Sequence, residues 1–122
     1  MKPDHPDATH VSIDIETLGT APGSVILTIG AVAFNRHGLI PERNGILGTF
    51  YQRIDLDYSL RAGLTVDAST LRWWFSQPQA TQDEVFDPGG DARLQRPCAD
   101  TPCIVLQHLF TFLHDWKPAG IW

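Results

Sequence analysis

The stretch SIDIETLGT, residues Ser12–Thr20, decides how the rest of the chain is read. It has the alternation of a β-strand, yet two of its members, Asp14 and Glu16, are acids separated by a single residue. Side chains alternate across a strand, so Ile13 and Ile15 point one way while Ser12, Asp14 and Glu16 point the other. The two carboxylates therefore stand side by side, with Cα atoms about 7 Å apart. Like charges at that spacing repel unless something positive lies between them. One account is a strand whose polar face is simply wet. The other is a bound divalent cation. Asp and Glu are poor strand residues, and hard cations take carboxylate oxygens as ligands.

Outward from this stretch, the first strand covers His10 to Thr17, and Gly19, Pro22 and Gly23 in LGTAPGS form a turn. VILTIGAVAF, Val25 to Phe34, is almost wholly apolar and rich in β-branched residues, as suits a strand covered on both faces. NRHG (Asn35 to Gly38) reads as a turn, and LIPERNGIL as an irregular connection containing Asn44-Gly45. GTFYQRIDL, Gly48 to Leu56, alternates Phe50, Gln52 and Ile54 against Tyr51, Arg53 and Asp55 and reads as a third strand. Short connections between the three imply an antiparallel meander.

The second half is helical. VDASTLRWWFSQP starts a helix at Asp67 or Ser69, with Leu71, Trp74 and Phe75 as its core stripe and Pro78 as its stop. Gln79 to Asp100 reads as a loop with a short helical turn. TPCIVLQHLFTFLHDW is the clearest helix: Thr101 suits the N-cap, Pro102 the first helical position, and Leu106, Leu109, Phe110, Leu113 and Trp116 one apolar face. KPAGIW ends it, and Ile121-Trp122 opens another strand, which after a helix should return parallel to the sheet. Residues 1–9 are expected to be a loose leader and residues 10–122 one α/β domain.

Bulk composition narrows the class. The chain has 122 residues, 43% of them hydrophobic, which suffices for the core of a single domain. Nine basic residues against 14 acidic ones leave a net charge of −5, unlike a basic, groove-filling nucleic-acid binder. A nucleic-acid enzyme whose positive charge arrives as metal remains compatible. Two cysteines and no signal-like start fit a reducing cytoplasm, and no apolar run reaches membrane-spanning length.

The segment IDIETLGTAPGSVILTIGAVAF resembles the first exonuclease motif, Asp-x-Glu-Thr, of the DEDD superfamily of 3′–5′ exonucleases, with the expected hydrophobic strand behind it. GLTVDASTLRWWFSQP is similar to a helix of the phage and bacterial exoribonucleases of the Rv2179c-like type, which in phage are often described as exonuclease VIII-like. The resemblance runs from about His10 to Trp122 and implies an RNase H-like sheet. It also implies two-metal phosphodiester hydrolysis with Mg²⁺ or Mn²⁺, at the 3′ end of RNA or single-stranded DNA. Asp14 and Glu16 match the family's first pair of catalytic metal ligands. Thr17 and Leu18 match positions under the 3′-terminal nucleotide, Thr17 by its backbone and Leu18 by packing against the base.

Four carboxylates and a His or Tyr base complete the family's site. The third carboxylate is expected after a strand starting near Gly120, the fourth and the base further on, so the chain stops before both. Asp83, Asp87, Asp91, Asp100 and Asp115 lack the required context. The resemblance therefore implies an N-terminal portion of a nuclease, incomplete at its C-terminal side and inactive alone. An open first strand would make such a portion marginal, aggregation-prone, or completed by a second copy or another chain. A non-catalytic remnant that acts as an interaction or regulatory protein is the alternative. A hybrid-cutting endonuclease is a third reading, against which the Asp-x-Glu-Thr pairing speaks.

Other residues offer less. Cys98, Cys103, His108 and His114 match no zinc spacing, and the two histidines diverge by about 120° on a helix. Trp73 and Trp74 are adjacent on a helix, so one should pack inward. Trp74 shares the apolar stripe, which leaves Trp73 as a surface on which a base could stack. Arg53, Arg61 and Arg72 could touch phosphates, but plain surface exposure is the usual explanation of such arginines. GTAPGS lacks the Lys and the helix of a phosphate loop.

Overall fold

The structure is a computed structural model that describes residues 9–35, 46–87, 89–90, 98–118 and 120–122. Three strands come first, β1 (Thr9–Thr17), β2 (Ile26–Asn35) and β3 (Ile46–Arg53). Four helices follow, α1 (Leu56–Arg61), α2 (Ala68–Phe75), α3 (Gln79–Phe86) and α4 (Pro102–Trp116), and then the short β4 (Gly120–Ile121). The sheet order is β3-β2-β1-β4. Leu18 donates to the Val25 carbonyl across the β1–β2 turn, and Ile54 to that of Leu27, while Gly30 lies near the Phe50 and Asp14 carbonyls. The paired numbers run in opposite senses, as an antiparallel meander requires. β4 instead runs parallel to β1, with His10 opposite Gly120 and Val11 opposite Ile121. A meander whose first strand then takes a parallel neighbour is an RNase H-like α/β sheet.

Packing divides the chain into two units, one of Met1–Asp14, Gly30–Tyr51 and Leu106–Trp122, the other of Ile15–Ile29 and Gln52–Val105. In the first, Val11, Ala31, Ala33 and Leu109 are buried. Phe112 stacks on Phe50 at 5.7 Å and on Trp116 at 6.4 Å between ring centroids. Trp122 donates to the Val11 carbonyl, and the Trp122 carbonyl accepts from Ile13, both at 2.7 Å. In the second, Leu18, Val25, Leu27, Trp74 and Val85 form the core, with Leu56, Leu64, Leu71 and Phe86 packed around it.

Several expectations need correcting. The third strand ends at Arg53 rather than Leu56, because the Asp55 carboxylate accepts the Asp57 amide at 3.1 Å and caps an unexpected helix, α1. α2 ends at Phe75, short of Pro78 as expected, but residues 79–86 form a full helix, α3, to which Pro78 serves as N-cap. Phe75 is 64% exposed, since the buried line of the short α2 runs through Leu71 and Trp74. On α4 the covered face is Val105, Leu109, Phe112 and Trp116, turned from the expected one so that Phe110 is 66% exposed. Thr101 and Pro102 do open that helix. Of the turn expected at 35–38, Asn35 instead ends β2, while 36–38 and most of the connection after them lie outside the described residues, as does the leader apart from Thr9, which opens β1.

Candidate active site

β1 carries both acids. Its Val11 is fully buried and anchors the strand, while Ser12 and Asp14 are exposed and Glu16 is half-buried. Asp14 and Glu16 are two residues apart on one continuous strand, so their side chains leave it in the same direction. The two isoleucines between and beside them are not deeply covered either: Ile13 is half-buried and Ile15 exposed.

The strand end just past Glu16 is held by several bonds. The Thr17 hydroxyl donates to the Gly19 carbonyl at 2.7 Å, and the Thr17 carbonyl accepts the Trp74 indole N–H at 2.9 Å. Leu18 donates to the Val25 carbonyl at 2.9 Å and accepts the Asp67 amide at 2.8 Å. A Cβ at Gly19 would fall 2.4 Å from the Ser24 hydroxyl oxygen and 3.0 Å from the Ser24 Cβ, so a larger residue there would require Ser24 to shift. Leu18 is itself a core residue, 2% exposed, so its side chain presents no face on which a base could pack. That corrects the role expected of it: the turn after Thr17 folds back over the core, which takes Leu18 along. The Thr17 side chain is half-buried.

Trp73 and Trp74 divide as adjacent helix positions must. Trp74 is 3% exposed and Trp73 54%, their rings meeting edge to face at 4.9 Å. Asp67, exposed at the start of α2, accepts the Ser69 and Thr70 hydroxyls on one oxygen at 2.7 and 3.1 Å. Those bonds, Ser69's first, hold its carboxyl below the ordinary 3.8. Arg53 corrects another expectation. It is 2% exposed, and its guanidinium donates to the Asp87 and Gly89 carbonyls, so it is committed to the protein interior and not to phosphates. Its strand position beside Ile54 gave no warning of this. Arg61 and Arg72 are exposed as expected.

Oxygen donors of the Asp14 and Glu16 kind suit a hard divalent cation. Among the described residues no three His, Cys, Asp or Glu side chains gather as a metal-holding group, and Cys98 and Cys103 are exposed and not joined in a disulfide. By donor type alone, the two carboxylates fit such an ion. A cleft of about 90 Å³ lies in the second unit between Asp55, Leu56, Val85 and Phe86.

The sheet order and the parallel return of β4 define an α/β domain of RNase H-like topology. The chain is a member of the 3′–5′ exoribonuclease Rv2179c-like domain family, whose model matches residues 9–122. Solved structures give similar overlays. Cell-death related nuclease 4 is 18% identical at a TM-score of 0.46, over 89% of this chain and 31% of that one. A full-length 3′-exonuclease is 19% identical at 0.47, over 88% and 39%. A 3′-exonuclease solved for 3′-end-specific recognition of a histone mRNA stem-loop is 19% identical at 0.46, over 91% and 41%. The chain thus spans about a third to two fifths of their lengths. A search of curated protein sequences finds no match. Among the described residues no helix is long and apolar enough to cross a membrane.

Proposed function

We propose that this chain is the first-motif portion of a metal-dependent 3′–5′ exonuclease acting on RNA or single-stranded DNA 3′ ends. Family membership over residues 9–122 supports the reading, and the acidic pair on β1 is the observation that carries it to particular residues. Asp14 and Glu16 hold Mg²⁺ or Mn²⁺ and are the catalytic residues of this segment. When bound, two such ions supply a nucleophile from water and stabilise the leaving 3′ oxygen. The Thr17 amide lies next to Glu16 on the strand and contacts the terminal nucleotide, with Leu18 supporting that backbone from the core. The exposed face of Trp73 stacks a base.

The alternative reading is a non-catalytic remnant that acts as an interaction or regulatory protein. One experiment separates the two. The 122-residue chain is incubated with 3′-labelled single-stranded RNA and DNA, in Mg²⁺ and in Mn²⁺. EDTA-sensitive release of nucleotides that disappears in Asp14→Ala establishes the exonuclease. We expect no release from the chain alone. Activity recovered on adding a complementing chain, again lost in Asp14→Ala, assigns the ligand role; a stable inactive dimer by light scattering decides for the remnant.

A further inference from the structure

We propose that Trp74 is a positioning residue for Glu16, fixing the strand end on which that carboxylate stands; this role rests on the reading of Glu16 as a metal ligand. The observation is a long-range side-chain bond at the end of β1. The Thr17 carbonyl, one residue past Glu16, takes the indole N–H of Trp74 at 2.9 Å, across 57 positions of sequence. A strand carbonyl normally finds its partner in a neighbouring strand. Here the donor is a buried ring projecting from a helix.

The ring is well placed to act as a fixed point. Trp74 sits in the second unit's core with Leu18, Val25, Leu27 and Val85. It is wedged edge to face against Trp73 at 4.9 Å and Phe86 at 5.9 Å. Packing of that kind locks a rotamer, so the N–H cannot swing away without opening the core. The start of the same helix grips the next residue, since the amide of its N-cap, Asp67, donates to the Leu18 carbonyl at 2.8 Å. Residues 17 and 18 are therefore tied to both ends of α2, and Glu16 is tied to residue 17 by one peptide bond. A carboxylate ligand gains affinity when its backbone is held before the ion arrives, because less freedom is lost on binding.

Burial alone would explain an apolar ring at position 74. A buried indole N–H also ordinarily finds an acceptor; what the positioning role adds is that the acceptor is the carbonyl beside an expected ligand. The two roles separate experimentally, because the bond can be deleted while the shape is kept. Position 74 is replaced by 3-benzothienylalanine, which puts sulfur in place of the N–H, and in parallel by Trp74→Phe. Mn²⁺ uptake by the full chain is followed through loss of the free-ion electron paramagnetic resonance signal, with the thermal unfolding midpoint recorded beside it.

We expect the benzothienyl protein to unfold near the unsubstituted midpoint and to bind Mn²⁺ roughly tenfold more weakly, as loss of a ligand-orienting contact does. Glu16→Gln should abolish the uptake. Uptake lost in Glu16→Gln but unchanged in the benzothienyl protein overturns the positioning role and leaves the ligand assignment standing. Uptake unchanged in Glu16→Gln, or absent from the unsubstituted chain at millimolar Mn²⁺, overturns both. Trp74→Phe guards against a benzothienyl protein that does not fold. If it folds and binds as the unsubstituted chain does, the role is likewise overturned.

Discussion

Trp116 fills the space in which a side chain at residue 48 would stand. A Cβ on Gly48 would fall 2.6 Å from the Trp116 Cζ2 and 2.9 Å from its Cε2. The glycine of β3 is thus the seat of the last aromatic of α4, which is itself stacked on Phe112. Gly48→Ala should destabilise the protein by about 1–3 kcal/mol, the usual cost of overpacking a closed contact. Urea denaturation monitored by tryptophan fluorescence measures this. An unchanged midpoint would mean that Trp116 moves aside freely.

Arg53 predicts a second loss. Its guanidinium is buried and satisfies the carbonyls of Asp87 and Gly89. Arg53→Met keeps an apolar stem of similar reach and leaves both carbonyls without that donor. Stability should fall by about 3 kcal/mol, the scale for removing hydrogen bonds from a charged donor in the interior. Were Arg53 instead a phosphate contact, the same change would weaken nucleic-acid binding and spare the unfolding transition.

Asp67 makes stability depend on acid. Its carboxyl is held below the ordinary 3.8 by the Ser69 and Thr70 hydroxyls. A depressed folded-state value contributes stability that is full above 3.8 and is lost as pH falls through the lower value in the folded protein. The Asp67→Asn protein should therefore differ in stability from the unsubstituted chain at neutral pH, and the difference should close in acid. Because the group is fully exposed, the effect is small and screened by salt. A gap that widens in acid would contradict the assignment.

Trp73 separates packing from recognition. Removing its ring in Trp73→Ala deletes one edge-to-face contact with Trp74, a loss of about 1 kcal/mol in folding. If Trp73 stacks a base, the same change costs a further 1–3 kcal/mol, roughly, in affinity for single-stranded RNA. Fluorescence anisotropy with a labelled oligonucleotide reads the second quantity and denaturation the first. Unaltered affinity would restrict Trp73 to covering Trp74.

Local chemistry in the chain was enough for the elements with strong periodicity and strong boundaries. β1 could be read from its alternation, β2 from its unbroken apolar run, and α4 from Thr101-Pro102 at its start. The parallel return of β4 to β1 followed from a helix preceding a strand. The acidic pair was legible too, because period-two alternation puts Asp14 and Glu16 on one side whatever the strand packs against. Sequence likewise separated Trp73 from Trp74, which no helix can turn to the same side.

Which apolar residues of a helix are covered was decided by tertiary packing. α4 has aliphatic or aromatic residues around much of its circumference, so its periodicity admits more than one stripe, and contacts with Phe50 select the one containing Phe112 and Trp116. The same holds for Arg53: alternation sets its direction, but only the carbonyls of Asp87 and Gly89, more than thirty positions away, make burying a guanidinium tolerable. Leu18 follows a turn whose course depends on Val25 and Asp67. The bond from Trp74 to Thr17 joins positions 57 residues apart, and no local pattern encodes it. Sequence determined what each segment prefers within a few residues of itself; the fold decided which of those preferences meet, since burial and hydrogen-bond satisfaction are properties of the neighbours that a residue acquires only when the chain closes on itself.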